Sequence, residues 1–157
     1  MISERMRDKV IQRAAALGLE VDVQRLEAST KTVSDAATAV GCKEAEIAKS
    51  IVFICDGDPV VCIASGAHRI DVDKVADALD CAEVRQASAA EVRASTGFAI
   101  GGVPPLGREL PVVLDEDLLT HKRVWAAAGD PHSLFCVDPK ELAGCTQATV
   151  AAVGESG

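Results

Sequence analysis

Ser50-Ile51-Val52-Phe53-Ile54-Cys55 and Pro59-Val60-Val61-Cys62-Ile63-Ala64, joined by Asp56-Gly57-Asp58, make the clearest hairpin in the chain. Both runs are strongly apolar and rich in β-branched residues, which suit a pleated surface packed on its neighbours. Gly57 lacks a Cβ and so permits the positive φ that a tight turn between the strands requires. With so few polar positions, these two strands are expected at the centre of a sheet and buried.

Upstream, Ser3 is placed to cap a helix through Leu17: Met6, Val10, Ala14 and Leu17 recur at three- or four-residue steps, and Gly18 supplies the stop. The opposite side carries Arg5, Lys9 and Arg13 at four-residue intervals, a row that reads as a solvated face or as an anion-facing stripe. Val21 and Val23 alternate with polar residues in a strand over Glu20–Leu26, and Thr30–Val40 runs from a loop into a short helix ended by Gly41.

Downstream, Asp71–Leu79 is a capped helix, Cys81–Val84 a short strand, and Ser88–Thr96 a helix with Ser88 and Glu91 in capping-box spacing. Pro111–Leu114, Val124–Ala128 and Ser133–Val137 read as three further strands, and Asp138 caps a last helical segment, Pro139–Leu142. Strands and helices mix without strict βαβ alternation. The expectation is an α+β fold in one domain over residues 1–157, with a mixed, mainly antiparallel sheet flanked by helices. Residues 1–18 form its N-terminal helix, and residues from about 151 to 157 a loose tail.

The chain has 157 residues, of which 48% are apolar and 25% charged, the composition of a folded globular domain. At this length about 68–70% of the unfolded surface can be buried, so no disulfide or metal staple is required. Sixteen Lys and Arg against 24 Asp and Glu give a net charge of −8, a poor balance for broad contact with a polyanion. The N-terminus shows no secretory signal, so the six cysteines read as small buried hydrophobes in a reducing cytoplasm. No C-x-x-C pair and no zinc spacing of His68, His121 and His132 appears, so neither metal nor cofactor is expected. No apolar run approaches the ~18 residues of a membrane span.

Phosphate-binding glycine motifs, H-E-x-x-H and G-x-S-x-G are all missing, which removes the standard nucleotide and serine-hydrolase chemistries. With no Tyr, one Trp and three Phe, the chain also lacks the aromatic platforms on which bases stack, and no DNA partner is expected. Two features remain. Lys49 stands where a polar helical stretch meets the buried strand. In extended geometry it shares a face with Ile51, Phe53 and Cys55, which puts a cation against apolar surface where it can neutralise a phosphate. Gly101-Gly102-Val103-Pro104-Pro105-Leu106-Gly107 is the second: paired glycines admit a ligand to the backbone, and the prolines stiffen a wall rich in carbonyls.

In this order the two segments carry a family likeness. The sequence resembles the YbaK/ProX-like aminoacyl-tRNA deacylases, relatives of the editing domain inserted in bacterial prolyl-tRNA synthetases. The matching stretches are Thr32–Ala37, Glu46–Phe53, Gly101–Gly107 with its G-x-x-x-P pattern from Gly101 to Pro105, and Val113–Leu118, within a likeness over about residues 20–145. The resemblance implies hydrolysis, in trans and without a side-chain nucleophile, of the ester between a wrong amino acid and the tRNA acceptor end. Lys49 would hold the terminal phosphate, the Gly101 carbonyl would orient the attacking water, and a substrate ribose hydroxyl would assist. Thr32, Ser50, Gly102, Val103, Pro104 and Pro105 would line the substrate site, with His132 a candidate for the amino-acid pocket. Implied partners are mischarged aminoacyl-tRNA, tRNA(Pro) foremost, and prolyl-tRNA synthetase. The alternative is a non-catalytic module that holds a tRNA end or a synthetase in the same pocket.

Overall fold

The hairpin forms where the sequence places it and anchors an eight-stranded sheet. This computed structural model describes residues 2–106 and 110–155, and side chains from residue 5 onward; the Ser3 side chain and Gly107 fall outside the described residues. In chain order run α1 (Ile2–Ala16), β1 (Val23–Arg25), α2 (Val33–Val40), β2 (Ile47–Cys55), β3 (Asp58–Ser65), α3 (Val72–Leu79), β4 (Val84–Gln86) and α4 (Ala89–Thr96). There follow β5 (Val112–Asp115), β6 (Val124–Ala127), β7 (Ser133–Val137), α5 (Pro139–Thr146) and β8 (Thr149–Ala151). The strands lie in the order β1-β7-β6-β2-β3-β5-β8, with β4 also on β2. Pairings β1–β7, β2–β3, β2–β4 and β6–β7 are antiparallel; β2–β6, β3–β5 and β5–β8 are parallel. The fold is a single-domain α+β architecture with a mixed sheet flanked by five helices.

Side chains of β3 alternate between two cores. Val61 and Ile63 face the larger one with Val10 and Ala14 of α1, Phe98, Leu106 and Phe135, while Val60, Cys62 and Ala64 pack with Val75 of α3, Val113 and Val153. Burying each such aliphatic side chain is worth about 1.5–3 kcal/mol, which fixes the register because a one-residue slip would exchange the two faces. A third cluster seats Ala36 and Ala37 of α2 on Ile47 and Leu134. The helix ends follow local rules: Thr32 accepts a hydrogen bond from the Asp35 N–H, and Ser88 and Glu91 form the reciprocal capping box.

The structure departs from expectation in four places. Residues 151–155 are not a loose tail: β8 pairs with β5, Val153 is fully buried, and the Glu155 N–H donates to the Arg69 carbonyl. The strand expected at Cys81–Val84 begins only at Val84, because the Asp56 carboxylate accepts the Ala82 and Glu83 N–H groups that a ladder would otherwise use. Cys55 and Cys81 are joined in a disulfide with Cα atoms 5.8 Å apart, rather than serving as separate buried hydrophobes. Arg13 leaves the expected cationic row, donating to the Thr96 carbonyl and lying 4.8 Å above the Phe98 ring.

One feature of the sheet positions the site. β3 occupies one edge of β2 along nearly its whole length, so β6 and β4 share the other edge. On that edge β6 reaches only Ile47 and Ala48, and β4 pairs only with Phe53–Cys55. Lys49–Val52 are left facing a gap between two strands, closed at one end by the Ala87 N–H donating to the Val52 carbonyl. Backbone groups alternate along a strand, so Ser50, two residues before Val52, turns its N–H and carbonyl into the same gap.

Candidate functional site

A cavity of about 290 Å³ occupies this gap. Its walls come from the loop before α2 (Thr30, Lys31, Thr32), from α2 itself (Val33, Ala36), from Ile47–Ile51 of β2, from Ile100, Gly101 and Val103, and from Ala127 and Leu134. The structure thus brings Thr32, Lys49, Ser50, Gly101 and Val103 into one hollow. It does not bring the other candidates there. Gly102, Pro104 and Pro105 are buried behind the lining, and the His132 ring points to the Ala28 carbonyl, 3.2 Å from Nδ1.

Glycine is required at Gly101 and Gly102 for different reasons. Gly101 holds φ at 89°, a left-handed conformation that a side chain disfavours. Gly102 lies against Gly129: a Cβ there would come 2.8 Å from the Gly129 carbonyl oxygen, and a Cβ on Gly129 would come 2.8 Å from that of Met6. The loop, the β6–β7 turn and α1 therefore stack backbone on backbone, tied by the Gly129 N–H to the Gly102 carbonyl at 2.9 Å. Asp130, buried in that turn, accepts the Ser133 hydroxyl and Arg7 of α1. This rigid stack fixes where the Gly101 carbonyl sits, and no hydrogen bond to that carbonyl forms among the described residues.

Lys49 is half-buried, and its Nζ donates to the His68 carbonyl at 2.6 Å. Burial pushes its ammonium below the ordinary lysine range, while Cys62 and Asp115 nearby pull the other way. Asp115 is itself buried, accepting the Ser65 N–H on one oxygen and the Asp117 N–H on the other. His68 is held by Asp117 and stands near Asp115. These three lie close enough together to be metal ligands, and each Asp115 oxygen also accepts a backbone N–H. The cluster also serves as the frame beneath Lys49.

Nucleophilic chemistry finds no support among the described side chains. The Cys62 thiol is pushed up to about 12 by burial, so it stays protonated at neutral pH. The Ser50 hydroxyl is buried without a hydrogen-bond partner, so no adjacent base activates it. What the cavity offers is the cations Lys49 and Lys31, the backbone of Gly101 and Ser50, two buried hydroxyls and apolar walls. That set can position a phosphoester end and a water but cannot form a covalent intermediate.

Thr30 and Lys31 are wall residues that the sequence reading did not single out. Thr30 is buried because its N–H donates to the Pro131 carbonyl, a contact across most of the chain that no local pattern announces. Lys31 passes over Gly101, its Cγ 2.9 Å from where a Cβ would be, and adds a second cation at the cavity.

The fold and sequence are shared with known proteins. A solved structure described as a candidate trans-editing enzyme for prolyl tRNA synthetase superposes with a TM-score of 0.89 at 42% identity, covering 96% of this chain and 98% of that one. The uncharacterized protein YwhH of Bacillus subtilis is 38% identical over 126 residues, 78% of this chain and 80% of its own. A proline–tRNA ligase of Lysinibacillus sphaericus is 37% identical over 113 residues, 70% of this chain but only 20% of the ligase. Residues 27–145 match the family model for the aminoacyl-tRNA editing domain, and the chain belongs to that family.

Proposed function

We propose that this protein is a trans-acting hydrolase that removes a wrong amino acid from tRNA, tRNA(Pro) carrying a small residue being the first substrate to consider. The observation that supports this most is that Lys49 and Gly101, from separate parts of the chain, line one cavity. The Lys49 ammonium neutralises the phosphate at the acceptor end and fixes the terminal ribose. The Gly101 carbonyl accepts a hydrogen bond from the attacking water and aims its oxygen at the ester carbon, while the proton that the water gives up passes to the departing ribose oxygen. The water oxygen bonds to carbon, the bond from carbon to the ribose oxygen breaks, and the ribose oxygen leaves with that proton, assisted by the neighbouring ribose hydroxyl. Free amino acid and intact tRNA result.

Prolyl-tRNA synthetase, which generates the mischarged product, is the natural partner, and translation places the activity in the cytoplasm. No described helix is long and apolar enough to cross a membrane. A panel of mischarged tRNAs tests the reading: purified protein speeds deacylation of at least one of them over the buffer rate. Stoichiometric tRNA binding without turnover on any of them would replace the hydrolase with a binding module.

A further inference from the structure

Two buried hydroxyls at the cavity have no hydrogen-bond partner among the described residues: Thr30 Oγ1 and Ser50 Oγ. Thr30 is only 5% exposed, and both residues line the same hollow as Lys49 and Gly101. The neighbouring Thr32 hydroxyl is different, because it already has a partner, the Asp35 N–H that it accepts in capping α2. Apart from the cation Lys31, the remaining side chains of the wall, among them Val33, Ile47, Val103 and Leu134, are apolar.

Native proteins satisfy nearly all buried hydroxyls, so two left unpaired in one cavity point to a partner that arrives with the ligand. Lys49 and the Gly101 carbonyl serve groups that every aminoacyl-tRNA carries. A hydroxyl needs an acceptor for its proton and can take a donor in return, which an aliphatic side chain cannot supply and another hydroxyl can. Size narrows the class further. Ser50 stands between the main cavity and an adjoining hollow of about 60 Å³ whose walls include Ile51, Ile100 and Val103. At roughly 30 Å³ for a water's share of the liquid, that side hollow takes a side chain of two or three heavy atoms.

We infer that Thr30 and Ser50 select a small hydroxyl-bearing amino acid, of serine size, over the alkyl side chain of alanine. The inference rests on the editing reading above and names its substrate class. Thr30 and Ser50 are specificity residues; the ester chemistry stays with Lys49, Gly101 and water.

The test measures kcat/KM for tRNA(Pro) charged with serine and with alanine, using the whole chain. Wild type prefers the seryl ester. Thr30→Val, nearly the same shape without the hydroxyl, and Ser50→Ala each lower the seryl-to-alanyl ratio at least about tenfold. Thr30→Ser restores a hydroxyl and keeps the ratio within a few-fold of wild type. A structural role for these residues would lower both rates together, and an unchanged ratio overturns the inference, as does a wild type that prefers alanine. If wild type deacylates neither of these esters nor any other mischarged tRNA, the editing reading itself fails and takes this inference with it. Activity without seryl preference removes this inference alone.

Discussion

Replacing Gly101 by alanine separates the cost of the backbone from the cost to the site. The residue sits at φ 89°, and forcing an L side chain into the left-handed region costs roughly 1–2 kcal/mol. The added Cβ would also come 2.9 Å from Lys31 Cγ and 3.5 Å from the Lys31 carbonyl oxygen, close to that residue's backbone, so Lys31 must shift and the strain figure is a lower bound. For a domain of this size, 1 kcal/mol lowers Tm by about 2–4 °C, giving an expected fall of at least about 2–8 °C. The rate should suffer far more. If the loop relieves its strain by turning the Gly101 carbonyl away, displacement of about 1 Å is worth about 100-fold in catalysis. Thermal melting and single-turnover deacylation of mischarged tRNA(Pro) are the paired assays. Gly144→Ala is the control: the site is helical, has ordinary φ and has nothing within 4 Å of a Cβ, so it gains roughly 0.5–1 kcal/mol and leaves the rate alone. Gly101→Ala at wild-type rate would refute the role given to that carbonyl, and an unchanged Tm would refute the strain argument.

Three further outcomes are expected. Lys49 acts as a cation and burial lowers its pKa, so the active form is complete on the acid side and is lost as pH rises through a value below 10.5. After subtraction of hydroxide-driven hydrolysis, kcat/KM should fall along an alkaline limb that Lys49→Arg moves out of range; a limb unchanged in that variant counts against the assignment. Reducing the Cys55–Cys81 disulfide, whose cysteines are 26 residues apart, should cost about 3.5 kcal/mol and roughly 7–14 °C in Tm, and Cys55→Ser should abolish that sensitivity. Binding to tRNA should show a log–log salt slope of about −1 to −3, because the −8 chain presents few cations beyond Lys49 and Lys31 at the cavity; a slope steeper than about −5 would reveal a larger phosphate footprint.

Where structure follows from neighbours in sequence, the chain was legible. The β2–β3 hairpin, the Ser88 capping box and the glycine stop at Gly41 depend on side chains one to four positions away, and they lie where the sequence puts them. Long-range choices were not readable in the same way. β8 is three residues, and only the open edge of β5 makes it a strand. The Cys55–Cys81 bond depends on Asp56 drawing the Ala82–Glu83 backbone against the hairpin tip. At the site, Lys49 and Gly101 were legible as a pair only through family likeness, since nothing local announces that a lysine and a glycine loop share a cavity. Thr30 escaped notice because its burial comes from Pro131, and His132 stays out of the lining because its ring turns toward Ala28.

Single-turnover deacylation of mischarged tRNA(Pro) by wild type and Lys49→Ala, with circular dichroism showing both folded, decides whether Lys49 takes part in the hydrolysis. Wild type is expected to accelerate ester loss and the variant to return it to the buffer rate. Equal acceleration by the two proteins would contradict that role.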